Sequence, residues 1–248
     1  MDWIYGRQAV RLALAPGAKR RAHRLAATPA ALAALAKTTP LGHVEQRLVA
    51  PEELERLTGS PEHQGIALLA GDYPYAPPEQ LAGGSLVVVL DEVSDPRNVG
   101  AVARSALGAG ADGLALPKHR SARVTPAAVK ASAGATEHLA IAQVANVVAF
   151  LKELKEAGFW VYGGAREARR SYLGLDLKDK VALVFGSEGR GLRRLVAETC
   201  DGLASIPLHS PMESLNVSVA AALFLFEAQR QRQGAAAGGR HAERSLPS

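Results

Sequence analysis

Residues 85–117 read SLVVVLDEVSDPRNVGAVARSALGAGADGLALP, and their rhythm decides the fold. SLVVVL (85–90) is a continuous apolar run, the type of strand that is buried on both faces. Val99 to Leu107 has helical spacing, and GLALP (113–117) returns as a short strand. Strand, helix and strand in this order make one crossover unit of a parallel sheet. The same alternation continues downstream. Pro126–Ala133 reads as a helix, HLAIAQV (138–144) as a strand and Val147–Ala157 as a helix. WVYGG (160–164) and VALVFG (181–186) add strands. Leu192–Thr199 is helical, GLASIP (202–207) is a strand, and Val217–Gln233 is a long final helix. The expected class is α/β, a mostly parallel sheet with helices on both faces, over residues 85–233. The match to GxGxxG at 108–113, GAGADG, ends a helix and leads into a strand. A dinucleotide site needs the reverse order, with the helix N-terminus meeting the pyrophosphate, so that reading fails.

Upstream, DYPYAPPEQLAGG (72–84) holds three prolines and two glycines without helical or strand period, and 73–84 reads as a linker. Residues 1–72 contain PAALAALAKTTP (29–40) and the apolar GIALLAG (65–71), which fit a small mixed α/β domain. The tail 234–248 lacks an apolar period and is expected to be disordered. The whole chain has 248 residues, 48% hydrophobic and 21% charged. That composition excludes disordered, collagenous and membrane classes and leaves a soluble globular protein. No apolar run reaches the ~18 residues of a membrane span. No secretory leader is visible, so the expected compartment is the cytosol. Cys200 is the single cysteine, and the seven histidines show no metal-ligand spacing, so neither a disulfide framework nor a metal is expected. Lys and Arg outnumber Asp and Glu by 29 to 24. The first 30 residues carry Arg7, Arg11, Lys19, Arg20, Arg21 and Arg24 against Asp2 alone. A solvated helical face explains such a cluster, and so does a polyanionic partner.

Ligands of open parallel sheets bind beyond the carboxyl ends of the strands. Three strand ends carry unusual loops. The first places Asn98 and Arg104 on one helix, with Gly100 between them to permit close backbone approach. Asn98 suits a helix N-cap as well as a functional amide. Arg104 has the small or apolar neighbours Val102, Ala103, Ala106 and Leu107, a setting in which a guanidinium is expected to need an anionic partner. The second loop, GSEGRGLRR (186–194), surrounds Glu188 with Gly186, Gly189 and Gly191. It matches neither the Walker loop nor the nucleophile elbow. The third, PLHSPMESLNVSVA (207–220), gathers Ser214 and Asn216 ahead of the last helix, and Ser210 with Glu213 has capping-box spacing. Capping explains any one of these groups, not their number at one strand end. The sequon at Asn216 is discounted for want of a secretory leader.

Together NVGAVAR (98–104), FGSEGRGL (185–192) and SLNVSVAAAL (214–223) resemble, in order and in placement, the three motifs of the SpoU (TrmH-type) branch of the SPOUT RNA methyltransferases. The resemblance runs from about Ser85 to Arg232. IYGRQAV (4–10), HQGIALLAG (63–71) and VKASAGATEHL (129–139) look like an RlmB-like subgroup whose members methylate a guanosine 2′-hydroxyl in large-subunit ribosomal RNA. The resemblance implies a C-terminal trefoil knot, an obligate homodimer, an RNA substrate and S-adenosylmethionine as methyl donor. By motif position, main-chain groups of Gly186, Ile206 and Leu215 would contact that cofactor. Asn98, Arg104, Glu188, Ser214 and Asn216 would form the catalytic set. With RNA in view, Arg20, Arg21 and Arg24 become expected phosphate contacts. Two other readings stay open: a transfer-RNA ribose methyltransferase of the same branch, and an RNA-binding protein that has lost the chemistry.

Overall fold

The computed structural model describes residues 1–42, 44–209 and 214–242. It divides into two compact units that do not follow chain order. One comprises residues 1–76, 95–104 and 122–140, and the other 77–94, 105–121 and 141–248.

The first unit is built on a four-stranded sheet. Its elements are β1 (Asp2–Tyr5), α1 (Arg7–Ala13), β2 (Ala22–Ala27), α2 (Pro29–Ala36), β3 (Glu45–Leu48), α3 (Pro51–Thr58) and β4 (Ile66–Ala70). The strand order is β1-β4-β2-β3, with β4 antiparallel to both neighbours and β2 parallel to β3. Thr28 caps α2 by accepting from the Ala31 amide, and Pro29 occupies the first helical position, where its missing N–H costs nothing. Ile4, Leu25, Ile66 and Leu68 are fully buried, and Leu54 is buried in a cluster with Tyr5, Ala26, Val49 and Ala67.

One expectation about this unit is overturned. Arg20 does not face solvent. Its side chain and that of Glu137 are both 0% exposed, Nε and Nη2 donate to the carboxylate at 3.1 and 2.6 Å, and the guanidinium lies 5.5 Å from the Tyr73 ring centre. Charge along the sequence could not reveal an acid 117 residues away. Arg24 is held at 3.0 Å by Glu45 on the neighbouring strand, while Arg21 is exposed. The supposed linker is also more structured than its composition suggests. The Tyr73 hydroxyl donates to the Thr136 carbonyl at 2.7 Å, and the Tyr75 hydroxyl accepts from the Val124 amide at 3.0 Å.

Further along the chain follow α4 (Pro78–Ala82), inside the expected linker, then β5 (Leu86–Asp91), α5 (Pro96–Gly108), β6 (Gly113–Pro117), α6 (Pro126–Ala131), β7 (Ala140–Val144), α7 (Val147–Glu156), β8 (Trp160–Gly164), β9 (Val181–Gly186), α8 (Arg194–Thr199), β10 (Gly202–Ala204) and α9 (Val217–Ala242). The strands form a six-stranded sheet of order β10-β8-β9-β5-β6-β7, flanked by helices as expected. The β10–β8, β8–β9, β9–β5 and β5–β6 pairings are parallel. Every residue of β5 is buried, and β9 is buried through Phe185, as sheets covered on both faces require. In α7 the buried residues Val147, Phe150, Leu151 and Leu154 recur at helical spacing, and Asn146 caps the first turn.

Several helix boundaries differ from expectation: α8 starts at Arg194, not Leu192, and α6 ends at Ala131, not Ala133. The helix α5 starts at Pro96, and the capping side chain is that of Asp95, which accepts from the Arg97 amide at 2.8 Å. Asn98 therefore lies inside the first turn and is not the cap. The helix α9 runs to Ala242 instead of ending at Gln233. Residues 243–248 lie outside the described residues. No helix among the described residues is long and apolar enough to cross a membrane.

Candidate active site

The strand β9 ends at Gly186, where the chain folds back sharply. A Cβ there would lie 2.0 Å from the carbonyl carbon and oxygen of Gly191 and 2.4 Å from the Leu192 nitrogen, so only glycine fits. The Gly191 amide donates to the Ser187 carbonyl at 2.9 Å, closing the turn. Gly189 and Gly191 adopt φ of +83° and +68°. The three glycines that stand out in the sequence thus have separate reasons, one steric and two conformational. Their joint effect is a loop that presents main-chain groups with few side chains in the way.

This loop forms one wall of a cavity of about 370 Å³. The other walls come from Gly164–Glu167 after β8, from Ser205, Ile206 and Leu208 after β10, and from Ser214, Leu215 and Val217 leading into α9. Phe185 and Phe224, in edge-to-face contact at 5.3 Å between ring centres, add aromatic surface. The cavity therefore sits at the carboxyl ends of three neighbouring strands, where parallel sheets place ligands.

Gly186, Ile206 and Leu215, expected on the cofactor, all line this cavity, and so do Glu188 and Ser214 from the expected catalytic set. Asn216 is drawn in by its bonds. Its side-chain nitrogen donates to Glu188 Oε1 in a short contact, and its Oδ1 accepts from the Ser218 amide at 2.9 Å. One side chain thus caps α9 and ties the third loop to the second. Capping the helix and joining the two loops are thus compatible at this position.

Asn98 and Arg104 are carried by α5, in the portion that belongs to the first unit. There Val99, Val102, Ala103 and Ala106 are buried, while Arg104 is exposed and no ion pair is formed with it among the described residues. What the structure changes is the setting expected from its apolar neighbours, and the reason is geometric. At about 100° per residue those neighbours turn inward and Arg104 turns to solvent. The capping box proposed for Ser210 and Glu213 falls outside the described residues.

Sequence reading missed the loop after β8, which brings Arg166 and Glu167 to the cavity. The available signal is that ligands gather at strand ends and that WVYGG reads as a strand. Burial pushes the Cys200 thiol up to about 12, which favours its protonated form at neutral pH. Among the described residues no three His, Cys, Asp or Glu side chains gather as a metal site requires.

The cavity fits S-adenosylmethionine on its own features. Its volume lies in the range of small-molecule sites. The apolar surfaces of Ile206, Leu215 and Phe224 suit a purine ring, and the glycine turn, too tight for any Cβ at Gly186, offers main-chain donors and acceptors.

Comparison with known proteins agrees. Residues 85–226 match the SpoU rRNA Methylase family, and residues 3–76 match the domain described as RNA 2′-O ribose methyltransferase substrate binding. The 23S rRNA (guanosine-2′-O-)-methyltransferase RlmB of Xanthomonas campestris pv. campestris is 43% identical over 199 residues, 77% of this chain and 80% of that protein. Among solved structures, the SpoU methyltransferase AviRb from Streptomyces viridochromogenes superposes with a TM-score of 0.77 at 25% identity, covering 94% of this chain and 90% of that one. An AdoMet-bound rRNA methyltransferase from Sinorhizobium meliloti gives 0.73 at 26% identity, covering 92% and 87%. With its three motif loops, its glycine turn and these relatives, the chain belongs to the SpoU rRNA methylase family.

Proposed function

We propose that this protein methylates the 2′-hydroxyl of a ribose in RNA, with a guanosine of 23S ribosomal RNA as substrate and S-adenosylmethionine as donor. The observation that carries the reading is the cavity at the ends of β8, β9 and β10, where Gly186, Ile206 and Leu215 converge and Asn216 bonds Glu188. The similarity to RlmB favours ribosomal over transfer RNA.

When bound, S-adenosylmethionine supplies a methyl group already activated on a sulfonium. The chain must hold the ribose oxygen in line and manage one proton. Alignment of this kind is worth ~7–11 kcal/mol. Main-chain groups of Gly186, Ile206 and Leu215 grip the donor, and the Glu188–Asn216 bond keeps the two loops in register, with Ser214 beside them. Arg104 lowers the cost of negative charge growing on the ribose oxygen as its proton passes to solvent water. A guanidinium keeps its own proton in proteins, so Arg104 acts electrostatically and not as the base. Asn98, on the same helix, orients Arg104 or the ribose.

A working enzyme of this class also needs assembly and a place to act. The exposed residues Val219, Leu223 and Phe226 on α9 recur at i, i+4 and i+7, an apolar stripe that a second copy of the chain would cover. This supports a homodimer. A C-terminal knot and a cytoplasmic location complete the reading, the latter because ribosomal RNA is the substrate.

Turnover on ribosomal RNA, together with calorimetric titration of S-adenosylmethionine, tests the assignment. Arg104→Ala should lower turnover by roughly a hundredfold or more and leave cofactor affinity within a factor of about two. Near-normal turnover in that variant would remove Arg104 from the mechanism, and failure of the unaltered protein to bind the cofactor would remove the activity.

A further inference from the structure

The exit of the glycine loop is fastened to the neighbouring strand by a carboxylate that no motif assigns. Asp91, the last residue of β5, is fully buried. It lies in register with Gly186, the last residue of β9. Its Oδ2 accepts from the Arg193 amide at 3.0 Å, and its Oδ1 accepts from Arg193 Nε at 2.8 Å and lies 2.6 Å from Nη2. One carboxylate thus holds both the main chain and the side chain of the residue that ends the loop and precedes α8. The entry of the loop is fixed at the same level of the sheet by Gly186 itself, which admits no Cβ against Gly191 and Leu192.

The loop between these two points lines the cavity from Ser187 to Leu192. Between them it is also held by the main-chain bond from Gly191 to Ser187 and by the bond from Asn216 to Glu188. Gly189 and Gly191 have nothing within 4 Å of an ideal Cβ, and Glu188, Gly189, Arg190 and Gly191 are exposed. A glycine-rich segment of this kind has many accessible conformations, and ordering it on binding costs affinity. Charge-assisted bonds to a buried carboxylate are the strong kind, and two of them converge on one residue here.

We propose that Asp91 and Arg193 are positioning residues that pre-order the loop Ser187–Leu192 for the cofactor, so that the pair acts on cofactor affinity and not on the methyl transfer itself. The inference rests on the reading of the cavity as the S-adenosylmethionine site. Arg193 is 45% exposed, so its truncation leaves the core filled, though Asp91 loses its charged partner. Arg193→Lys keeps the charge but cannot reproduce the two-nitrogen grip.

Two measurements on the full-length protein test this. In calorimetric titration with S-adenosylmethionine, Arg193→Ala should weaken binding roughly tenfold or more, since it removes both side-chain contacts to the Asp91 carboxylate, and Arg193→Lys by less. The cofactor KM should rise in parallel, with kcat at saturating cofactor within about twofold, as loss of uniform binding requires. In the cofactor-free protein, amides of Ser187–Leu192 should exchange faster in both variants while those of β5 and β9 keep their protection. A purely structural role would lower Tm and leave the affinity and the local exchange unchanged, and that result overturns the proposal. If Arg193→Ala fails to fold, Arg193→Lys decides the matter by the same two readouts. An unaltered protein that does not bind S-adenosylmethionine would sink the functional reading itself, a result distinct from equal binding by all three proteins.

Discussion

The two sheets of this molecule are built by different rules. In the six-stranded sheet β5 is buried at all six of its residues, and its neighbour β9 is buried at five of six. In the four-stranded sheet β3 (Glu45–Leu48) is exposed along its whole length. Charge is placed differently too. The unit with the exposed strand hides an ion pair completely, Arg20 with Glu137, while the unit with the buried strands leaves the guanidinium of its Asp91–Arg193 pair about half in solvent. Apolar burial and charge burial are therefore separate properties of a fold, and only the first is visible as a pattern along the chain.

The sharpest way to break the comparison is at Glu137. Removing its charge strands a guanidinium with 0% side-chain exposure. Breaking one partner of a buried pair costs about 3–5 kcal/mol, so Glu137→Gln should lose that much stability in urea unfolding. A loss under about 1 kcal/mol would show that water reaches Arg20 after all. The atom Arg20 Nη1 already has no hydrogen-bond partner and lies 3.7 Å from Asp2, so this pair is imperfectly compensated from the start. Replacing both members by apolar residues of similar volume should then recover much of the loss, whereas the single substitution cannot.

Next in size is Gly100. A Cβ there would lie 2.2 Å from the Ala128 carbonyl oxygen and 2.8 Å from the Ala131 side chain, so α5 and α6 touch backbone to backbone. Gly100→Ala should cost about 1–3 kcal/mol, the range for overpacking, although alanine is otherwise the better helix former. A variant as stable as its parent would mean that the two helices can separate without penalty. The result bears on function as well, because α5 carries Asn98 and Arg104.

These cases mark what a single sequence discloses. The order of strands and helices after residue 85 was legible because strands covered on both faces are continuous apolar runs, and LVVVLD and VALVFG admit few other readings. Ile206 and Leu215 were legible only through motif likeness, since no periodicity distinguishes them, whereas Gly186 stands out as one of three glycines around Glu188. The Glu188–Asn216 bond joins residues 28 apart and was implied by nothing local. Arg20 was misread because its partner stands 117 residues later. Arg104 was misread in the opposite sense, from neighbours counted along the chain instead of around the helix. Both errors have one cause. A side chain's environment is fixed by the face it occupies and by what packs there, and proximity in sequence is a poor substitute.

The smallest expected effect separates the basic residues of β2 and its approach from one another. Arg21 is exposed, Arg24 is partly buried and bound to Glu45 at 3.0 Å, and Arg20 is internal. If the first unit grips RNA phosphates, each contact releases counterions and contributes roughly 0.7–0.9 to the slope of log affinity against log salt. Arg21→Gln should reduce that slope by about this amount. Arg24→Gln should reduce it by less, because Arg24 must first leave a cross-strand pair, although such half-exposed pairs are worth only about 0–1 kcal/mol. Equal reductions from the two would show that Glu45 yields its arginine to RNA freely. No change from either would move the phosphate contacts off this sheet, and the excess of basic residues at the start of the chain would then serve the solvated surface and the buried Arg20–Glu137 pair alone.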